Sequence, residues 1–298
     1  NGIFDPKIAG VGLHEITYTY EEDNCNWSNN LTIEITESPM PDVSISNISC
    51  FGNSDGAISI SNTTGGIPPY LYSFNGGTLG TETFWAGLDG GEYEIRVQDA
   101  NGCENTLNIS LIEPQELTVE LVVFVENNTI ILGDSLDLLA DVSINPNDLD
   151  NIIWEPAELV NCDTCINTSA TPIETTNFTV SVESNGCSDS DDLTVFVRKD
   201  RPVYIPNSFS PNGDGINDDF RVHTGPGVTA INFVRIYDRW GDQVHAVDDP
   251  VPSPDGAAAW DGTFRGEEMN PAVFLYLIEV EFIDGQVLLY RGDISLIK

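Results

Sequence analysis

The sequence predicts an all-β protein made of tandem immunoglobulin-like β-sandwich domains in an extended array. Many short segments alternate apolar and polar residues with a period of two, which is the pattern of half-buried strands. Gly, Asn and Asp turns close these segments at short intervals, as in a β-sandwich. The chain has 298 residues, which is enough for two domains, or for more if each one is a small sandwich.

The composition is strongly acidic, with 48 Asp and Glu residues against 11 Lys and Arg and a net charge of −37. Such a surface repels nucleic acid and anionic lipid, because binding to either requires clusters of Lys and Arg. No apolar run approaches the roughly twenty residues that span a bilayer. We therefore expect no nucleic-acid partner and no transmembrane segment.

Residues 1–38 contain two alternating runs, Gly10–Tyr20 and Leu31–Thr36. The runs predict the last strands of a partial immunoglobulin-like repeat, preceded by no signal peptide. The pattern opens in mid-domain, so we expect the C-terminal piece of a longer protein. Cys25, which follows the turn at Asp23, is expected to have lost its partner with the missing half.

Residues 39–114 follow a linker, Pro39-Met40-Pro41, because proline cannot join a central ladder. Short strands closed by Gly or Asn turns predict a second sandwich. Four motifs mark this block: Cys50-Phe-Gly-Asn-Ser-Asp-Gly56, Gly65-Gly-Ile-Pro-Pro-Tyr70, Gly91-Glu-Tyr93 and Asp99-Ala-Asn-Gly-Cys103. Together they resemble the repeat of SprB, the giant mobile adhesin of gliding flavobacteria.

Six cysteines in this composition suggest an oxidising compartment. Cys50 and Cys103 stand at the first and near-last strands of the second sandwich, and we expect a disulfide between them. By the chain-entropy argument, that bridge would be worth on the order of 4 kcal/mol. The alternative is a set of buried free thiols.

Residues 115–199 predict a third sandwich, which is similar to PKD- and immunoglobulin-like repeats and has Trp154 as its buried tryptophan. Cys162-Asp-Thr-Cys165 lacks the strand-to-helix flanks of a redox site and the second ligand pair of a zinc site. We therefore expect a small loop disulfide between Cys162 and Cys165. Cys187 is either free or competes for one of these two partners.

Residues 200–298 follow a basic linker and carry several motifs in order. These are Tyr204–Phe220, Ile236–Gly241, Trp260-Asp-Gly262, Val273–Tyr276 and Arg291–Lys298. Together they resemble the gliding-motility-associated C-terminal domain, the type B sorting signal of the Bacteroidetes type IX secretion system. Ala272 stands where that family usually has glycine, and we expect this departure to alter a local bend only.

The resemblance implies export through the type IX translocon to the extracellular side of the outer membrane, with an outer-membrane partner of the SprF/PorP class. Tyr237, Arg239, Trp240 and Gly241 are the candidates for secretion-signal recognition, since aromatic residues and Arg dominate interface hot spots. The alternatives are that Tyr237 packs in the core and that Arg239 stacks on Trp240 inside the fold. Trp260 is expected to anchor the core.

Asn212, Asp214, Ile216 and Asp218 stand at positions 3, 5, 7 and 9 of a calcium loop, where side-chain oxygens and one main-chain carbonyl would bind the ion. Poor ligands at positions 1 and 12 exclude an EF-hand. The alternative is a turn whose side chains bond only their own backbone. Calcium is the only cofactor that the sequence suggests.

The first functional hypothesis is a non-enzymatic surface adhesin, with sandwiches as a stalk and a C-terminal export signal. The second is the appendage of a secreted glycosidase or protease whose catalytic domain lies upstream. His14, His223 and His245 are far apart and lack motif flanks, so we expect no catalytic site in this chain. A third possibility is binding of surface glycans or substratum, with Trp85 or Trp154 as a stacking platform.

Overall fold

The computed structural model describes residues 3–22 and 25–297 and is dominated by β-strands, which confirms the predicted all-β class. Asp23 of the predicted turn and Lys298 of the last motif lie outside the described residues. Contacts divide the chain into two compact units. The first is Asn1–Leu117 with Asn185–Cys187, and the second is Thr118–Ser184 with Ser188–Lys298.

The first unit opens with a hairpin of two long strands. Its elements are a one-turn α-helix at Pro6–Ala9, β1 at Gly12–Glu22 and β2 at Cys25–Ile35. The antiparallel register pairs Tyr20 with Trp27 and Ile16 with Leu31, so the period-two pattern gathers apolar side chains on one face. Trp27 is 69 % exposed.

A six-stranded sandwich follows in the same unit. Its strands are β3 (Met40–Ser46), β4 (Gly56–Thr64), β5 (Leu71–Phe74), β6 (Phe84–Leu88), β7 (Gly91–Gln98) and β8 (Glu104–Leu111). They form two three-stranded sheets, β3-β4-β6 and β5-β7-β8. Buried Ile58, Ile95 and Leu111 lie in the core between the sheets, and the Phe74 ring stacks on Trp85 at 4.9 Å.

Two of the motifs in this sandwich are joined by the carboxylate of Asp99. Asp99 is only 4 % exposed, and its carboxylate accepts backbone N–H bonds from Ile67 at 3.0 Å, Asn101 at 2.9 Å and Cys103 at 2.8 Å. Burial by itself raises the pKa of Asp99, but these N–H donors outweigh it and hold the pKa below its ordinary value. The carboxylate therefore fastens the Gly65–Tyr70 loop to the β7–β8 turn.

The predicted Cys50–Cys103 disulfide is wrong. Cys50 is bonded to Cys187, with Cα atoms 5.7 Å apart, and Cys103 is a free, exposed thiol. The Cys50 loop is held at the far end of β8, where the Gly52 N–H donates to Glu113 Oε1 at 2.7 Å, while Cys103 precedes the first residue of β8. An eight-residue strand spans about 26 Å, whereas bonded cysteines need Cα atoms within about 7 Å.

The second unit begins with a seven-stranded sandwich. Its strands are β9 (Val119–Val123), β10 (Thr129–Ile131), β11 (Leu136–Val142), β12 (Asn151–Glu155), β13 (Asn167–Ala170), β14 (Thr176–Ser184) and β15 (Cys187–Arg198). Short 3₁₀ turns lie at Glu126–Asn128, Pro146–Asp148 and Ala157–Leu159. The sheets are β10-β15-β14-β12 and β13-β11-β9, and Trp154, fully buried, packs between them.

The loop after β12 in this sandwich is closed by the Cys162–Cys165 disulfide, the pair that the sequence favoured. The Trp154 indole N–H donates to the carbonyl of Cys165 at 2.7 Å, so the buried ring also holds this loop. Full burial excludes Trp154 as a stacking platform for a glycan. Trp85 is also unsuited to that role, because it packs against Phe74 in the core of the first unit.

The C-terminal part of the second unit contains ten strands. They are β16 (Val203–Tyr204), β17 (Ser208–Phe209), β18 (Phe220–Thr224), β19 (Val228–Tyr237), β20 (Gln243–Asp248), β21 (Ala257–Trp260), β22 (Thr263–Phe264), β23 (Glu267–Glu268), β24 (Ala272–Phe282) and β25 (Val287–Leu296). A five-stranded sheet, β17-β25-β24-β19-β20, packs on the sheet β16-β18-β21. Ala272 pairs with Leu296 in regular strand.

The core of this part is aromatic. Phe209, Phe220, Phe274 and Trp260 are at most 2 % exposed, and the Trp260 ring lies 5.2 Å from Phe209 and 5.0 Å from Phe274 between centroids. The Trp260 indole N–H donates to the carbonyl of Thr263 at 2.9 Å, which satisfies its polar atom. Trp260 is thus the predicted core anchor.

Candidate functional site

The turn between β19 and β20 holds three of the four predicted recognition residues. Its shape is fixed by Asp238, whose carboxylate accepts the N–H groups of Trp240 at 2.8 Å and Asp242 at 2.9 Å. The main-chain carbonyl of Asp238 accepts the N–H of Gly241 at 3.1 Å. Gly241 has a φ of +90°, which explains the glycine in this motif. The backbone of the turn is therefore held in one conformation.

Trp240 is presented to solvent on this turn. Its side chain is 81 % exposed, and the Arg239 guanidinium lies 5.7 Å from the centre of its ring. The stacking of Arg239 on Trp240 that the sequence suggested therefore takes place on the surface. Tyr237 is half-buried at the end of β19 and is paired with Leu275 of β24, so it lies in the sheet directly before the turn.

A groove of about 380 Å³ runs beside Trp240. Arg239 and Trp240 line one side of it, and Phe264, Met269 and Val273 line the other. The last three residues come from β22, the loop after β23, and β24, so no local motif joins them to the turn. The sequence gives a signal for Val273 through the alternation of β24, which directs this side chain outward. Val273 is 52 % exposed.

Exposed apolar side chains continue from the groove along the five-stranded sheet. Leu275 on β24 and Leu289 on β25 are each 53 % exposed. Exposed apolar residues beside an exposed indole are typical of a protein–protein contact. We name Tyr237, Arg239, Trp240, Gly241 and the groove the recognition patch.

The four candidate calcium ligands lie together on the loop between β17 and β18. Asp218 accepts backbone N–H bonds from Gly215 at 2.8 Å, Gly213 at 2.7 Å and Asn212 at 3.0 Å. These donors hold the pKa of Asp218 below its ordinary value, because they favour the charged carboxylate. Asp214 accepts the N–H of Ile216 at 2.8 Å. The loop is thus shaped by its own side chains.

These hydrogen bonds limit how an ion fits the loop. Asp218 Oδ1 accepts two N–H bonds, from Asn212 and Gly213, whereas Asp218 Oδ2 and the two oxygens of Asp214 accept one bond each and keep a further lone pair. Asp214 Oδ2 takes its bond from the Asn212 side-chain amide at 3.1 Å, a group that can rotate away. The described residues contain no group of three or more His, Cys, Asp or Glu side chains placed to hold a metal ion, and calcium binding here stays a prediction.

None of the three histidines hydrogen-bonds a Ser, Thr or Cys side chain among the described residues. His14 Nε2 bonds the carbonyl of Gly10 at 2.7 Å, and His223 Nδ1 bonds that of Pro254 at 2.9 Å. His245 packs beside Trp260, and its Nε2 has no hydrogen-bond partner in the part of the chain that the structure describes. Burial lowers the pKa of His245, and the nearby carboxylate of Asp261 only partly opposes this.

Two family comparisons match this sequence. Residues 203–292 match the CHU_C type IX secretion signal domain, and residues 43–79 match the SprB repeat. The first match contains the recognition patch, and the second covers the motifs at Cys50 and Gly65. No curated protein matches the chain.

Several solved structures are similar to this chain at low identity. A tetra-tandem repeat from the extending region of a large adhesion protein is 14 % identical, with 96 % of this chain and 82 % of that chain covered and a TM-score of 0.37. A titin I-band fragment is 10 % identical, with 88 % and 99 % covered and a TM-score of 0.38. An ice-binding, Ca²⁺-stabilised adhesin of an Antarctic bacterium is 12 % identical, with 96 % and 82 % covered and a TM-score of 0.33. These likenesses bear on neither ligand nor activity.

Within residues 3–22 and 25–297, none of the helices has the length and apolar character needed to cross a bilayer. The signal domain and the repeat together indicate export to the cell surface and recognition by the type IX secretion system. The chain therefore resembles a type IX secretion signal domain over residues 203–292 and a SprB repeat over residues 43–79.

Proposed function

We propose that the chain is the C-terminal region of a large surface adhesin of gliding bacteria, in which the sandwiches act as a stalk. The observation that carries this proposal is the presence of a SprB repeat and a type IX secretion signal in one chain. The net charge of −37 keeps such sandwiches soluble and apart from anionic polymers. The C-terminal residues then serve as the export signal and perform no chemistry.

The recognition patch is the docking surface for an outer-membrane partner of the SprF/PorP class. Its support is the 81 % exposure of Trp240 on a turn fixed by Asp238, next to an apolar groove. Large aromatic residues with a neighbouring Arg supply most of the binding energy in protein interfaces. The rigid turn adds affinity, since little conformational freedom is lost on docking.

The alternative is a secreted enzyme whose catalytic domain lies upstream, with these residues as its export appendage. A SprB repeat directly in the chain favours the adhesin. The domain composition upstream of residue 1 separates the two: further repeats support the adhesin, and a catalytic domain contradicts it.

The export role predicts that Trp240→Ala reduces the amount of protein at the cell surface, to a level near that of a chain lacking residues 201–298. The substitution removes an exposed ring and leaves the core intact, so the melting temperature should change little. Surface labelling of intact cells against total protein in lysates measures the effect. Trp27→Ala removes a ring of similar exposure, 69 %, and is the matched control.

A normal surface level for Trp240→Ala, with the chain lacking residues 201–298 retained inside, would place recognition elsewhere on the signal domain. Normal display of the truncated chain would contradict the export role itself. The two results are distinguishable because they come from different variants of the same protein.

The adhesin also binds calcium at Asn212, Asp214, Ile216 and Asp218 in this proposal. Its support is that these four residues lie on one exposed loop, where the two oxygens of Asp214 and Oδ2 of Asp218 accept only one hydrogen bond each. An ion that binds only the folded loop raises the melting temperature, and the rise grows with the logarithm of the ion concentration once this exceeds the dissociation constant. Excess Ca²⁺ should therefore raise the melting temperature relative to chelator, and Asp214→Asn should abolish the rise while Asp255→Asn preserves it. Identical curves with Ca²⁺ and with chelator would remove the ion from the proposal.

A further inference from the structure

The sandwich formed by β9–β15 carries a second groove, of about 690 Å³, on the outer face of the sheet β13-β11-β9. Its volume lies in the range of roughly 300–1,000 Å³ that is usual for small-ligand sites. The groove lies apart in sequence from the secretion signal of residues 203–292 and from the SprB repeat of residues 43–79. It therefore calls for an explanation of its own.

The floor of the groove combines one exposed aromatic ring with polar groups. Phe124, just after β9, is 75 % exposed. The register sets Leu138 opposite Val123, so the outward residue Asp137 lies beside Phe124. Asp137 in turn pairs with Ser169, and Leu139 pairs with Asn167. A single sheet face thus presents a ring, an aliphatic side chain, a carboxylate, an amide and a hydroxyl.

The wall of the groove is a loop held at several points. Asn161 donates from its side-chain amide to Ser169 Oγ at 2.6 Å, and the Cys162 N–H donates to Thr168 Oγ1 at 3.0 Å. The disulfide to Cys165 closes the loop, and the buried Trp154 ring holds the Cys165 carbonyl. These bonds fix the wall before any ligand arrives, which lowers the entropy lost on binding.

The chemistry of the lining selects one class of ligand. A sugar ring offers a face of C–H groups and a rim of hydroxyls, and it needs an apolar ring below and planar acceptors and donors around it. The apolar ring is that of Phe124. The planar donors and acceptors are the side chains of Asp137, Asn161 and Asn167. Among the described lining residues none is cationic, and Asp137 repels anions, so an acidic sugar is disfavoured.

We propose that this groove binds a neutral oligosaccharide, with Phe124 stacking on a sugar ring and Asp137, Asn161 and Asn167 bonding its hydroxyls. Asp137 and Asn167 are suited to this role because neither side chain bonds another group among the described residues. The site is independent of the export signal. It would give the stalk itself the capacity to hold a polysaccharide.

The test uses the full 298-residue chain and a panel of neutral gluco-, manno-, galacto- and xylo-oligosaccharides, with polygalacturonate as the anionic comparison. Isothermal titration should detect binding of at least one neutral oligosaccharide and none of polygalacturonate. Phe124→Ala should weaken that binding about tenfold through the lost ring contact. Asn167→Ala should weaken it by a similar factor through the lost hydrogen bonds.

Phe196→Ala is the matched control, because Phe196 is 51 % exposed on the other sheet of the same sandwich. It should leave the affinity unchanged. Phe124 is itself exposed, so its variant should keep the melting temperature of the parent, which separates lost binding from lost folding. A uniformly blank panel with folded protein would overturn the proposal. So would binding that survives both Phe124→Ala and Asn167→Ala, or that disappears only with Trp240→Ala.

Discussion

At the scale of single residues, His245 has a measurable consequence that follows from its burial beside Trp260. Its folded pKa lies below the ordinary value of 6.5. As the pH falls below about 6.5, the unfolded chain therefore binds a proton that the folded chain refuses. The free energy of unfolding should decrease from that pH downward until the folded pKa is reached.

Denaturant titrations between pH 7.5 and 5 measure this decrease. His245→Gln keeps a neutral polar side chain and should flatten the stability profile in this range. His223→Gln, whose ring bonds only the Pro254 carbonyl at the surface, should keep the slope of the parent. Equal slopes for the parent and His245→Gln would show that another group sets the pH dependence.

Single residues also show where sequence reasoning succeeds. The turn at the Asn-Gly-Asp-Gly loop is predictable because glycine and Asx chemistry depends on adjacent positions in the sequence. The exposure of Trp240 was left open, because whether an aromatic points outward depends on the strand register around it. Phe124 was missed altogether, since a phenylalanine after an apolar strand reads as part of its core.

At the scale of elements, one disulfide was predictable from the sequence and the other was not. Cys162 and Cys165 are three residues apart, so their pairing is a local matter. To predict the partner of Cys50, one must know which end of β8 lies near the Cys50 loop and which lies near Cys103. The alternation of apolar and polar residues does not contain that information. The pattern therefore predicts that the strands exist, but it does not predict which strand ends lie next to each other.

The pairing of Cys50 gives a direct test. Digestion without reduction, followed by mass spectrometry, should yield one peptide pair containing Cys50 and Cys187 and a loop peptide closed between Cys162 and Cys165. Cys103 should react with a thiol reagent in the folded protein, because it is exposed and free. Recovery of Cys50 linked to Cys103, with Cys187 alkylated, would reverse the assignment.

Removal of the Cys50–Cys187 bridge should also cost stability, because it closes 137 residues of chain. The chain-entropy argument gives about 4–5 kcal/mol for a loop of this length. Cys50→Ser should therefore unfold at clearly lower denaturant concentration than the parent. Cys103→Ser is the matched control, and its midpoint should equal that of the parent.

At the scale of the whole molecule, charge is the dominant feature. The net charge is −37, and the described residues contain six ion pairs. Self-repulsion among the remaining carboxylates favours expansion, and salt screens it over a Debye length of about 10 Å at ~0.1 M. The melting temperature should therefore rise by several degrees between low and physiological ionic strength.

Differential scanning calorimetry at constant pH measures this rise, with an equal osmolality of sucrose in low salt as the control for general solute effects. Sodium chloride and potassium chloride should act alike, since screening does not depend on the identity of the cation. A melting temperature that falls with salt would mean that the six ion pairs outweigh the repulsion.

The turn held by Asp238 has one last implication, for the order of events in the cell. The indole of Trp240 reaches its outward position only once β19 and β20 have paired and the Asp238 carboxylate has closed the turn. In the proposed function, a chain in which this hairpin has not formed presents no recognition patch to the exporter. If the exporter docks on the recognition patch as proposed, export would select chains in which this hairpin has formed.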